Sequence, residues 1–243
     1  MKIPTMTMQE RALNYPYEAP AGDYLVKDGK CLPLPESYDF SARTAVLSVG
    51  SNRAPVQLMK KFGTTAEVPV TEAVATGCDV VHVAGLSAYG AVPCAPYPSK
   101  GSIVTLNIAW LTNDQLREMH ATESVGIAYD YVEWDVSAVT LTRDIKLDRL
   151  FGYASCIGAF QHAGSPFALS HIPAKGRIFP ERSQVEMQLE LAALTGFGGM
   201  DIHEWVQLIH RDKDVHQRAE QAARVAAILP DNTLWQVTDI EAC

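Results

Sequence analysis

Gly50-Ser51-Asn52-Arg53 follows the apolar run Thr44-Ala45-Val46-Leu47-Ser48-Val49 and precedes Pro55, Val56, Leu58, Met59 and Phe62, at helical spacing before Gly63. The run has strand length, Pro55 suits a first helical turn and Gly63 a C-terminal stop, so the four residues read as a polar turn from strand to helix. Such a turn can aim successive backbone N–H groups, and the positive end of a helix dipole, at one negative oxygen. It then binds a carboxylate or an oxyanion, and the planar fork of Arg53 suits a carboxylate held by two hydrogen bonds. The bland alternative is an ordinary strand-to-helix connection.

Glu123 is the second candidate. Thr112-Asn113-Asp114-Gln115 fits a capping box, Leu116 and Met119 supply an apolar face, and Ser124-Val125-Gly126 breaks the pattern. The helix predicted there ends between Ala121 and Glu123, and a carboxylate at that end suits a general base if it lies in a cleft. On the surface it is a solvated glutamate. His120 lies three residues earlier and reads first as a cap of the helix C-terminus. Tyr129 and Tyr131 alternate along a predicted strand and share one face, where packing is the default and a hydroxyl at a cleft edge the alternative.

Other chemistry finds less support. The seven histidines form no His-x-x-x-His or Glu-x-x-His pair, so no metal site is indicated. Gly152-Tyr153-Ala154-Ser155-Cys156-Ile157-Gly158 lacks the Gly-x-Ser-x-Gly spacing of a nucleophile elbow. A hydrolase using Ser51 or Cys156 has no histidine placed beside either by sequence.

These residues need a scaffold, and 243 residues with 47% hydrophobic and 20% charged side chains can bury a full core. The formal net charge of −8 argues against a nucleic-acid partner, since pairs such as Lys60-Lys61 are too few to make a basic face. Five cysteines at unrelated spacings (Cys31, Cys78, Cys94, Cys156, Cys243) read as reduced thiols, and neither a signal peptide nor a membrane span is evident, so a cytoplasmic protein is expected. Residues 1–42, rich in Pro and Tyr, read as an irregular arm. Strands are predicted within 68–110, one at 79–86 and the clearest at 103–110, with a turn-rich loop at 89–101 between them, and again near 129–134, 136–142 and 153–160. From Ser183 the chain reads as helical. Capping boxes or acidic caps stand at Ser183-Gln184-Val185-Glu186 and Asp201-Ile202-His203-Glu204, a stripe runs through Met187, Leu189, Leu191 and Leu194, and a last helix spans Val215 to Leu229 before Pro230. The class is α+β, a mixed or antiparallel sheet decorated with helices.

In this order the features resemble the gamma-glutamylcyclotransferase-like family over about Thr44 to Phe160. The family's aromatic-Gly-Ser-Asn-Leu turn is matched by Val49-Gly50-Ser51-Asn52-Arg53, and its Leu-Asp-x-x-Glu-Gly by Met119-His120-Ala121-Thr122-Glu123-Ser124. The resemblance implies a small mixed β-barrel flanked by helices at 43–180, preceded by the arm and followed by a helical extension packed on it at 181–243. It implies Glu123 as general acid/base, Gly50, Ser51 and Asn52 as the substrate cradle, Tyr129 or Tyr131 as a site tyrosine, and Tyr153 as a further one. The implied reaction is intramolecular: the α-amine of a γ-glutamyl group attacks its own γ-carbonyl, releasing an amine and a cyclic product, with no metal or cofactor. Val49, Arg53 and Met119-His120 depart from the family pattern, which points to a different small amino-acid amide, with Arg53 and His120 reading an added charge.

Two alternatives stand beside this. One is a related amide- or C–N-cleaving lyase or hydrolase on the same fold. The other is a non-catalytic ligand-binding or assembly module, forming a homo-oligomer through its C-terminal helices. Glu123 facing the Gly50–Asn52 turn favours an enzyme, and Glu123 pinned by a surface salt bridge favours the module.

Overall fold

The computed structural model describes residues 6–240, so Cys243 lies outside the described residues. The arm is irregular only in part. Thr7 caps helix α1 (Met8–Leu13) through a reciprocal box with Glu10, and strands β1 (Tyr24–Lys27) and β2 (Lys30–Pro33) form a hairpin whose turn uses Asp28 and Gly29 at positive φ. β1 joins the main sheet, and Asp23 and the carbonyls of Pro35 and Glu36 are tied to Arg143. Sequence reading missed these elements because each has only four to six residues, too few to show a period.

Strand β3 (Thr44–Ser48) runs through the middle of the sheet and leads by the turn at Gly50 into helix α2 (Pro55–Phe62), with proline at its first position and Gly63 at φ 84° beyond its end. Next come the two longest strands, β4 (Val68–His82) and β5 (Cys94–Leu111), an antiparallel pair. The second half of the predicted loop at 89–101 is therefore strand. Pro96 and Pro98 are tolerated because their spacing of two turns both missing donors to one side, and only β4 pairs with that stretch. One register shift, between Thr76 and Cys78, places Gly77 at φ 75° in a bulge.

Helix α3 (Asn113–Thr122) begins with the expected capping box of Thr112 and Gln115 and ends at Glu123. Strand β6 (Tyr129–Trp134) matches its prediction, whereas 136–142 divides into a single 3-10 turn capped by Asp135 and strand β7 (Val139–Leu141). Similarly, 153–160 is broken at Gly158, φ 84°, into β8 (Phe151–Ser155) and β9 (Ala159–His162). Two-residue strands β10 (Ser165–Pro166), β11 (Ala168–Leu169), β12 (Ala174–Lys175) and β13 (Glu181–Arg182) follow.

Helices α4 (Gln184–Leu194), α5 (Ile202–Arg211) and α6 (Lys213–Val225) start at capping residues Ser183, Asp201 and Asp212. α6 stops four residues short of the expected Leu229, and the chain returns to sheet structure as β14 (Ala227–Ile228), paired with β9, and β15 (Trp235–Val237), paired with β6. Pairing with β9 outweighs the helical propensity of this alanine-rich end. The predicted leucine stripe is also split: Leu191 is buried, whereas Leu189 and Leu194 are 39% and 52% exposed. The face that packs is Gln184, Met187, Gln188, Leu191 and Ala192.

The result is mixed α+β: among the described residues, a sheet with the path β13-β11-β4-β5-β3-β8-β6-β15 and six α-helices. The sheet is not closed, so the expected barrel is not confirmed; its path ends at β13 and β15. It does curl. Two strands, β5 and β3, separate β4 from β8, yet Val83, one residue past β4, bridges to Ala159, the first residue of β9, and the Ala84 N–H donates to the Gly158 carbonyl in the link from β8 to β9 at 3.0 Å. Apolar side chains fill three clusters: one on the sheet face carrying Leu47, Ala73, Leu106 and Ile108, one between α4–α6 and the 84–92 loop, and one beneath α2 and α3 around Leu58, Met119 and Tyr131. No helix among the described residues is long and apolar enough to cross a membrane.

Candidate functional site

The turn after β3 is one round of 3-10 helix, Ser51–Arg53. The Arg53 N–H donates to the Gly50 carbonyl at 3.0 Å and the Ala54 N–H to the Ser51 carbonyl at 2.9 Å. The N–H groups of Ser51 and Asn52 lie ahead of these first helical bonds. Gly50 is required by crowding: a Cβ there would lie 2.6 Å from the Tyr15 hydroxyl and 2.7 Å from Cys94 Sγ. The α1–β1 segment and the start of β5 thus both press on the turn.

Glu123 arrives from the other side, at the end of α3. Asn52 Nδ2 donates to Glu123 Oε1 at 3.1 Å, and Lys61 Nζ, from α2, makes an ion pair with the same oxygen. Lys61 Nζ also donates to Thr122 Oγ1 at 2.6 Å. The Lys61 side chain is 4% exposed and that of Glu123 15%. Because both donors fall on Oε1, Oε2 has no hydrogen-bond partner among the described residues. Asn52 Oδ1 is buried and has no partner either. Two acceptors are therefore left on this hydrogen-bonded pair, and such groups suit a ligand bearing more than one N–H.

The Arg53 side chain reaches β5 and, like Glu123, lies near Cys94. Its Nε donates to Asn107 Oδ1 at 2.9 Å, and the Tyr24 hydroxyl donates to its carbonyl. Burial lowers the guanidinium below its ordinary range, opposed by Cys94, Tyr24 and Glu72. Glu72 accepts the Gly22 N–H at 2.9 Å and makes no ion pair with Arg53. Arg53 is thus a largely desolvated cation without a carboxylate partner among the described residues, the state in which a bound carboxylate gains most.

Tyr129 donates its hydroxyl to the Cys94 carbonyl at 3.2 Å, and the Cys94 N–H donates to the Tyr15 hydroxyl at 3.0 Å. Burial pushes both phenols well above their usual range; Cys94 adds to both, and Glu123 adds to Tyr129. The Cys94 thiol is pushed up to about 12, mainly by burial, so it is a neutral wall group and no nucleophile. Burial also raises Cys156.

Of the residues singled out by sequence, Gly50, Ser51, Asn52, Arg53, Glu123 and Tyr129 meet here. Tyr131 and Tyr153 do not join them. Tyr131 is stacked on Phe151 with ring centres 5.2 Å apart, and the Tyr153 hydroxyl shares a 2.9 Å hydrogen bond with His120 Nδ1. His120 turns inward to these rings and does not cap α3; burial lowers its pKa. Tyr129 and Tyr131 share a face of β6, and the sheet's curl brings only the first within reach of Cys94.

Sequence reading missed Lys61, Tyr15 and Cys94. Lys61 carried one signal: with Pro55 as the first helical residue, Lys61 lies in the last turn of α2, beside the end of α3 if the two helices pack together. Tyr15 and Cys94 are separated by 79 positions, and their meeting depends on tertiary structure alone. No protein-family model, curated protein or solved structure matches the chain.

Proposed function

We propose that the protein is a cyclotransferase-like enzyme that cleaves a small amino-acid amide by intramolecular aminolysis, with a γ-glutamyl amide as the leading substrate type. The observation that carries this reading is the Asn52–Glu123 hydrogen bond, which joins the Gly-Ser-Asn turn to a helix-end glutamate and leaves Glu123 Oε2 and Asn52 Oδ1 as acceptors.

In this reading the substrate's α-carboxylate is held by Arg53 and its α-amine donates to Asn52 Oδ1 and Glu123 Oε2. The amine lone pair attacks the γ-carbonyl carbon, forming a C–N bond, while the carbonyl π electrons move onto oxygen. The Ser51 and Asn52 N–H groups stabilise that oxyanion. Glu123 takes a proton from the attacking nitrogen and delivers it to the departing one. The C–N bond to the leaving amine then breaks, giving a five-membered lactam and a free amine. Because nucleophile and electrophile belong to one molecule, orientation carries much of the rate. The accompanying fold reading takes the curled β4–β5–β3–β8 region, bridged at Val83 and Ala159, as a barrel left unclosed. Free thiols at Cys31, Cys78, Cys94 and Cys156 fit a reducing compartment such as the cytoplasm.

One observation favours a second reading, a non-catalytic ligand-binding module: Glu123 is already engaged by Lys61. Exposed Leu189 and Leu194 on α4 would then suit assembly into a homo-oligomer. Mass-spectrometric assay of wild type and Glu123→Gln against γ-glutamyl amines, γ-glutamyl peptides and other small amino-acid amides separates the two. Turnover by wild type that is lost in Glu123→Gln is expected. Thermal stabilisation by the same compounds without turnover would replace the enzyme by the module.

A further inference from the structure

We propose that Lys61 is a positioning residue that selects the charge state of the substrate: with its ammonium group on Glu123 Oε1, the Asn52–Glu123 acceptors take up a neutral amine and refuse an ammonium ion. The inference rests on the functional reading above, because it concerns the amine of that substrate.

The geometry separates two duties within one carboxylate. Lys61 and Asn52 both occupy Oε1, so Oε2 faces the ligand while Oε1 is saturated. A lone glutamate would draw an ammonium group into a tight ion pair, and an ammonium nitrogen has no lone pair with which to attack. Paired with Lys61, Glu123 contributes no net charge, while its free oxygen still accepts an N–H. The Lys61 side chain is nearly buried, so water does little to screen it.

The other charged and titratable groups around the pair add to this bias. Lys60 neighbours Lys61 on α2 and senses the charge of Arg11 from α1. Arg53 lies at the turn, and Cys94 of β5 and Tyr129 of β6 are held neutral by burial. The anions of this group are Glu123, paired with Lys61, and Glu72, which acts on Arg53, set against the four cations Lys60, Lys61, Arg11 and Arg53. A second cation entering this surplus is disfavoured, and an amine that has shed its proton is not. The substrate then arrives ready to attack, and the proton it loses before binding passes to solvent.

The test measures that proton. Calorimetric titration of L-glutamate, an unreactive probe with the same α-amino-acid head, is repeated near pH 7 in buffers of different ionisation enthalpy. Wild type is expected to release about one proton per glutamate bound, because the free amine is protonated at this pH. Lys61→Met is expected to release close to none, and Lys61→Arg, which keeps the charge, to behave as wild type. With a substrate that turns over, kcat of wild type should not depend on deprotonation of the substrate amine, whereas kcat of Lys61→Met should keep rising to higher pH as the bound ammonium loses its proton, with Lys61→Arg behaving as wild type. Wild-type binding without proton release overturns the role of Lys61 and leaves the cyclotransferase reading standing. Wild type that neither binds glutamate nor turns over any amide overturns that reading, and this inference with it.

Discussion

Asn52 and Glu123, 71 positions apart in the chain, share a 3.1 Å hydrogen bond from amide nitrogen to carboxylate oxygen. Asn52 comes from the turn that ends a central strand and Glu123 from the cap of α3, so the bond reports how two packed helices, α2 and α3, are set on the sheet. Replacing Glu123 with Gln retains the size and one oxygen but removes the proton acceptor. Turnover is expected to fall by about 10²–10⁴-fold, the usual share of general acid–base catalysis, and the melting temperature to fall as well, because the nearly buried Lys61 loses its anionic partner and keeps only Thr122. The mass-spectrometric assay and a melting curve on one preparation check both; near-normal turnover rejects Glu123 as the base.

Arg53→Leu separates function from stability. Losing a charge-assisted contact to a carboxylate should raise KM by about 10–150-fold, equivalent to about 1.5–3 kcal/mol. Removing a desolvated cation that has no anionic partner should leave the melting temperature unchanged or higher. Unaltered KM with a lower melting temperature would make Arg53 a structural residue.

Gly50→Ala introduces a Cβ at 2.6 Å from the Tyr15 hydroxyl and 2.7 Å from Cys94 Sγ. A loss of about 1–3 kcal/mol in denaturant unfolding is expected, as for other overpacked positions. Tyr15→Phe in the same chain removes one of the two clashing atoms and should restore part of the loss. Additive losses in the double variant would show that the clash is relieved elsewhere.

His82 gives the fold a pH dependence. It is fully buried on β4, with Nε2 3.0 Å from the Arg182 carbonyl and Nδ1 without a partner, and burial lowers its pKa to about 4. The folded value lies below the unfolded one of about 6.5, so the unfolded chain binds the extra proton first. The contribution is complete above pH 6.5, declines as pH falls towards 4 and is absent below it, amounting to about 3 kcal/mol. Urea unfolding between pH 4 and 7 should show this slope in wild type and a flatter one in His82→Gln. Equal slopes would exclude His82 as its source.

Asp79 is fully buried on β4 and is gripped by Arg177 through two hydrogen bonds of 2.8 Å, while Arg177 also donates to Glu181 and the Ile172 carbonyl. Arg177→Met strands the carboxylate, and a loss of about 3–5 kcal/mol is expected. Asp79→Asn combined with Arg177→Met should recover much of it. Denaturant midpoints of the three variants decide; a single-variant loss under 1 kcal/mol, far below the usual ~3, would mean water reaches the carboxylate.

Much of the site was legible because its parts are local. Thr112 with Gln115, and Pro55 with Gly63, mark helix ends through chemistry confined to one turn, and those ends place Glu123 and Asn52. What sequence did not reveal depends on distant pairing. The bend that brings Cys94 to Gly50, the return of residues 227–228 to β9 and the open path of the sheet follow from strand pairing across long separations, which no window of a dozen residues contains. Tyr131 and Tyr153 were misplaced for a related reason: alternation assigns a face of a strand but not the position along it that meets the turn.

The bulge at Gly77 has a consequence for how the chain tolerates length changes. Before it, Ala73 and Ala75 face the central cluster; after it, Cys78 and Val80 do, so the inward set changes from odd to even numbers across one residue. Gly77 acts as a frame shift in the strand's alternation. Deleting it would join Thr76 to Cys78 and leave Ala73, Ala75, Cys78 and Val80 in one unbroken inward alternation, whereas adding one residue beside it would turn the whole distal half of β4 inside out, and with it the Asp79 carboxylate. An insertion nearby would be silent only if it came as a pair.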